Sequence, residues 1–260
     1  MGSDAETKST RTVTAAAVVI GDEILSGRTK DRNIGYIADY LAAIGIQLRE
    51  VRIVADDEAQ IVEAVNALRR TYSYVFTTGG IGPTHDDITA DSIAKAFGVG
   101  IDIDERALEL MKSRYDERAL TPARLRMARI PRGADLVENS VSTTPGFMIE
   151  NVIVMAGVPA IMQVMLDAVA PRLEKGARML TRTVRVEQAE GDVAPGLAAV
   201  QELFPDVAMG SYPFFEQGRL GTNLVLRSTD PAGLERALKA LLARLREDGF
   251  LKFALLDEGQ

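Results

Sequence analysis

Between Thr77 and Thr89 the chain reads TTGGIGPTHDDIT, a run that gathers residue types suited to phosphate chemistry. Gly79, Gly80 and Gly82 carry no Cβ, so a turn built on them can take φ > 0 and present its N–H groups to phosphate oxygens. Thr84, and Ser26 in an earlier loop, offer hydroxyl donors to the same oxygens. Asp86 and Asp87 would repel a phosphate unless a divalent cation or a proton lay between them, so the combination suggests phosphate or pyrophosphate chemistry with a metal. His85, the single histidine, titrates near about pH 6.5 when unperturbed and is a candidate acid for a leaving phosphate. A tight strand-to-helix turn, with an aspartate as cap and a histidine stacked on the loop, accounts for the same residues without a ligand.

The elements around this run place it. Tyr74-Val75-Phe76 reads as a buried strand leading into the glycines, and Ile93, Ala94, Ala96 and Phe97 follow at helical spacing up to Gly98. Upstream, Val13 to Ile20 is an unbroken β-rich run, as in a central parallel strand covered on both faces. Asp31 is placed to cap a helix carrying Ile34, Ile37, Ala38 and Leu41, which Gly45 ends. Asn33 is a cap or turn candidate, with a ligand contact as the alternative. Ile46 to Val54 is a second strand whose apolar parity changes between Leu48 and Val51, which implies a bulge or a strand confined to its second half. A helix bearing Ile61, Val65 and Leu68 precedes the third strand.

Strands alternating with helices in this way imply right-handed crossovers and a doubly wound sheet, which binds ligands beyond the carboxyl ends of its strands. Asp22 and Glu23, Asp56 and Asp57, and Asp86 and Asp87 follow successive strands, so three acidic loops converge on one rim. Two phosphate motifs are excluded: GDEILSGRT has the wrong glycine spacing and Arg28 for a Walker loop, and Gly80-Ile81-Gly82 lacks the third glycine of a dinucleotide fingerprint.

Farther on, Pro131-Arg132-Gly133-Ala134 and Thr144-Pro145-Gly146-Phe147 read as turns, and Val152 to Met155 as a buried strand. The next helix carries Met162 and Met165, which read as core. From about Arg182 a βαββα order follows, with a short helix at Leu197 to Leu203, a glycine-rich loop between Tyr212 and Thr222, a long helix from Ala232 to Arg246 and a last strand at Leu251 to Leu255.

The 260 residues, 47% hydrophobic and 26% charged, suffice for a large α/β domain and a small one. A net charge of −7 opposes general nucleic-acid binding, and no apolar run is long enough to span a bilayer. Arg124, Arg126, Arg129 and Arg132 read as a solvated helix face and loop, with a local basic patch as the alternative. The absence of cysteine excludes disulfides and thiolate chemistry.

The run GGIGPTHDDIT resembles the signature of the molybdenum-cofactor-biosynthesis domain family, in the form found in CinA and in the amino-terminal domain of eukaryotic FAD synthases. The resemblance covers roughly Thr12 to Leu173 and extends to Gly21-Asp22-Glu23-Ile24-Leu25 with Asp31 and Asn33, to Asp56, and to the segments Pro131 to Phe147 and Met155 to Met162. Ser142 and Thr144 stand where the family has Gly and Ala, and Ala156 and Ile161 where it has Pro and Glu. It implies a MoaB/Mog-like α/β fold, a three-layer doubly wound, mostly parallel sheet over residues 12–178, with a small α+β subdomain at 179–260 after a disordered lead at 1–11. The implied ligand is molybdopterin or an adenine nucleotide, with a divalent metal, Mg²⁺ by preference. The implied activity is hydrolysis of nucleotide pyrophosphates such as ADP-ribose or FAD, or else binding without turnover. On this reading Asp56 and Asp87 bind metal or activate water, Asp86 is a weaker metal candidate, and Gly79, Gly80 and Gly82 hold phosphate. A cytoplasmic homo-oligomer with no membrane or nucleic-acid partner is expected.

Overall fold

The apolar run Val13–Ile20 forms β1, and all but one of its residues are buried. Parallel strands flank it on both sides: β2 (Ile46–Val54) and β3 (Tyr74–Thr78). The computed structural model describes residues 12–216 and 218–256. The expected lead at 1–11 lies outside them. The chain divides into two compact units, Met1–Ala177 and Arg178–Gln260.

In the first unit, β1 is followed by the short α1 (Asp22–Leu25), then α2 (Asn33–Ala43), β2, α3 (Glu58–Arg69), β3 and α4 (Thr89–Phe97). Next come β4 (Ile101–Ile103), α5 (Glu105–Lys112), α6 (Pro122–Arg126), β5 (Arg129–Pro131), β6 (Asp135–Val137), β7 (Gly146–Ile149), β8 (Val152–Met155) and α7 (Pro159–Val169). The main sheet has the order β2-β1-β3-β8-β7-β6, its first four strands parallel and β7 and β6 antiparallel, while β4 and β5 form a separate pair. Helices cover both faces. Ile37 and Leu41 of α2 and Met162, Met165 and Leu166 of α7 pack with Phe76 and Ile153 on one side. Ile61 and Leu68 of α3, Ile93 of α4 and Met111 of α5 pack with Val18, Val75 and Val154 on the other. The result is a three-layer, mostly parallel α/β sheet.

The parity change in the second strand is a bulge: Ala15 pairs with Leu48 and Ala16 with Glu50, leaving Arg49 as the extra residue in a strand that runs its full length. The structure departs from sequence expectation at Pro131 and Gly146, which lie in strands and not in turns. Strands of three or four residues are too short to show a period.

The second unit comprises β9 (Leu180–Val186), α8 (Glu190–Leu203), β10 (Ala208–Glu216), β11 (Arg219–Ser228), α9 (Pro231–Glu247) and β12 (Phe253–Leu256). Its antiparallel sheet has the order β10-β11-β9-β12. Val193, Leu197, Leu238 and Leu241 of the helices pack on Val184, Leu224 and Leu226. The helix expected to be short runs for 14 residues, with Pro195 inside it. The expected glycine-rich loop contracts to a hairpin, because Gly221 belongs to β11, where a Cβ would collide with the Phe214 ring paired opposite.

Candidate functional site

The glycine turn begins where β3 ends. Gly79 has φ +104 and Gly80 φ +66, conformations that side chains disfavour, and a Cβ at Gly79 would overlap the Ile20 carbonyl oxygen at the end of β1. Thr89, at the start of α4, fixes the turn: its hydroxyl donates to the Gly79 carbonyl at 2.9 Å and its N–H to the Gly80 carbonyl at 3.0 Å. Gly82 differs from the sequence expectation in not being a positive-φ residue. It lies instead under the Asp87 carboxylate, which a Cβ would meet at 2.6 Å.

Two further turns converge on this one. Gly157, after β8, approaches so closely that its own Cβ would lie 3.2 Å from the Gly79 Cα, and the Gly79 N–H donates to the Met155 carbonyl at 3.2 Å. Asn33, at the start of α2, donates from Nδ2 to the Gly157 carbonyl at 2.9 Å, so it positions the β8 turn and does not cap a helix. The Asp31 carboxylate, one residue before the Arg32 N-cap, accepts from the first-turn N–H groups of Asn33 and Ile34 at 3.1 and 2.8 Å.

Over these turns opens a cavity of about 650 Å³. Gly79, Gly80, Gly82 and Asp87 line one side, Ala156, Val158, Ile161 and Met165 give it an apolar wall, and Asn139, Ser142 and Thr144 supply polar groups. The four positions that depart from the family pattern, Ser142, Thr144, Ala156 and Ile161, thus all face the ligand space.

The sequence-predicted site residues divide into several places. Asp87 lines the cavity, and its Oδ2 accepts from the Thr84 N–H at 2.8 Å and from the Thr84 hydroxyl, so it braces the loop. Asp56 accepts from the Asp22 N–H at 3.0 Å, which joins the first and second acidic loops. Burial, then the charges of Asp22, Glu23 and Asp86, raise the Asp56 carboxyl above the usual carboxylate range, against the pull of that hydrogen bond. Ser26, Thr84, His85 and Asp86 are exposed and none lines the cavity. Among the described residues, no three His, Cys, Asp or Glu side chains are grouped to hold a metal ion. Asp56 and Asp87 each accept a backbone N–H through Oδ2.

Sequence reasoning gave too little weight to the arginines. Arg129, half-buried beside the glycine turn, pairs with Asp91 at 2.7 Å, and the exposed Arg132 pairs with Asp102 at 2.6 Å. Arg124 instead lines the cavity, its guanidinium 4.7 Å from the Tyr115 ring centroid, and Tyr115 lines it too. Arg126 lies behind the glycine turn, with Nη2 3.4 Å from the Asp87 carbonyl oxygen and a buried Nε without a partner. The clustering of these arginines was legible; which of them turn inward was not.

The fold is a three-layer, mostly parallel α/β domain with glycine turns around a cavity beyond the carboxyl ends of its strands, the place where open α/β sheets hold ligands. Residues 16–175 match the family described as probable molybdopterin binding domain, and residues 178–254 match the FAD synthase middle domain. The chain belongs to the probable molybdopterin binding domain family. A protein from Archaeoglobus fulgidus is 36% identical over 197 residues, 75% of this chain and 84% of that one. Another, from Aeropyrum pernix, is 33% identical over 241 residues, 86% of this chain and 89% of that one. The crystal structure of the protein CinA, of unknown function, from Thermoplasma acidophilum superposes with a TM-score of 0.59 at 37% identity, over 62% of this chain and 98% of that chain. Among the described residues no helix is long and apolar enough to cross a membrane.

Proposed function

We propose that the protein binds a phosphorylated pterin or an adenine nucleotide, with a phosphate against the Gly79-Gly80 turn and the ring system against the apolar wall. One observation carries this reading: a positive-φ glycine turn opens onto a cavity of ligand size that also holds the Arg124 guanidinium. Backbone N–H groups and a guanidinium are the usual partners of phosphate, and the Arg124 guanidinium is held over the Tyr115 ring. Calorimetric titration with AMP, ADP-ribose and FAD, and with molybdopterin kept anaerobic, tests it. Saturable binding in the presence of EDTA supports the reading, and failure of every ligand to bind sinks it.

A second reading is hydrolysis of a nucleotide pyrophosphate such as ADP-ribose or FAD. It is favoured by the acidic rim, where Asp22, Glu23 and Asp86 act together on Asp56, an arrangement that a cation arriving with the ligand would relieve. AMP release measured with Mg²⁺, Mn²⁺ or Co²⁺ separates the two readings. Metal-dependent release by the wild type and not by Asp87→Asn establishes turnover; binding without release leaves a binding protein.

A further inference from the structure

The main cavity does not end at the glycine turn. A second lobe of about 480 Å³ adjoins it, and Glu23, Thr29, Gly157 and Pro159 line both. Its outer wall is the loop between α1 and α2, where Arg28, Lys30 and Arg32 alternate along the chain. Two carboxylates share the lobe, Glu23 at the junction and Asp31, but Asp31 is engaged by the N–H groups of Asn33 and Ile34. All three cations are exposed, and among the described residues none of them pairs with a carboxylate. Thr78 and Asn33, 1% and 4% exposed, also line the lobe, and the Thr78 hydroxyl and the Asn33 Oδ1 have no hydrogen-bond partner.

We propose that this lobe binds a phosphomonoester carried by the same ligand, remote from the phosphate held at the glycine turn. The inference rests on reading the main cavity as a nucleotide or pterin site. Three unpaired cations on a flat surface would be unremarkable, because solvent screens them. In a concavity their fields converge, and a guanidinium binds phosphate through two parallel N–H donors. The lobe is far larger than an inorganic phosphate, and its shared wall makes it the continuation of one ligand's path. The ligand class is therefore a nucleotide or pterin nucleotide with a second phosphate group in addition to its pyrophosphate.

Ligand pairs differing by one phosphomonoester test this: NADP⁺ against NAD⁺, and coenzyme A against dephospho-coenzyme A, titrated calorimetrically into the wild type and an Arg28→Ala/Arg32→Ala double variant. The wild type is expected to prefer the phosphorylated member of at least one pair by about tenfold, as for hydrogen bonds to charged groups, and the double variant to bring that ratio close to one. Equal affinities within both pairs, or a preference that the double variant keeps, would overturn the proposal and leave the main site intact. If no member of either pair binds the wild type, the nucleotide reading of the main cavity fails together with this one.

Discussion

Asn33 Nδ2 donates to the Gly157 carbonyl oxygen at 2.9 Å, joining two turns that are 124 residues apart in the chain. The Asn33 side chain is buried, and Gly157 packs against Gly79. One amide therefore fixes the distance between the α2 start, the β8 turn and the glycine turn, all of which border the cavity.

Asn33→Ala is expected to leave that carbonyl without its donor and to cost about 1–3 kcal/mol. In a unit of this size the loss lowers Tm by several degrees. Asn33→Asp, which keeps the shape and loses the donor, should do no better. Calorimetric scans of both variants check this, and an unchanged Tm in either would show that the bond is dispensable.

Gly79→Ala is expected to be more damaging than Gly80→Ala, although both positions have positive φ. A Cβ at Gly79 meets a backbone carbonyl at the end of β1, whereas one at Gly80 meets the Thr89 hydroxyl, which would have to give up its hydrogen bond to the Gly79 carbonyl. Backbone strain of about 1–3 kcal/mol applies to each; at Gly80 the collision costs a side-chain hydrogen bond, while at Gly79 it must move backbone. Gly80→Ala should fold and bind AMP at least about tenfold more weakly. Soluble yield, Tm and AMP titration distinguish the two variants.

The Asp56 carboxyl has a pKa raised by burial and by the acidic neighbours Asp22, Glu23 and Asp86. A folded-state pKa above the unfolded value means that the native protein holds the extra proton between the two, so stability falls as pH rises through that interval. Above it the destabilisation is complete. Asp56→Asn should therefore raise Tm at pH 7, with the gain vanishing below about pH 4, where the carboxyl is protonated in both states. Tm measured across that range for variant and wild type decides the sign.

Arg124 faces the cavity over Tyr115 and donates to the Ala119 carbonyl at 2.7 Å. If it holds a ligand phosphate, Arg124→Ala should weaken ADP-ribose binding by about ten- to a hundredfold. Arg132→Ala, which removes an exposed guanidinium paired with Asp102, should leave binding unchanged. Equal effects of the two would assign the loss to overall charge and not to Arg124.

The amino-acid sequence determined the alternation of buried strands and amphipathic helices, the parity change in the second strand and the glycine turn after β3, because each is written in local periodicity or in a residue type with one conformational use; that the parity change is a bulge at Arg49 came from the structure. It also placed three acidic loops on one rim, since parallel strands joined by crossovers have only one carboxyl end. Tertiary structure decided the rest. The short antiparallel strands β5, β6 and β7 form only because neighbouring strands complete their hydrogen bonds. Nothing local distinguishes Arg124 from Arg132, and the direction of each guanidinium is set by what packs beside it: Tyr115 for one, Asp102 for the other. The role of Asn33 depends on a carbonyl brought to it by the closing of the sheet.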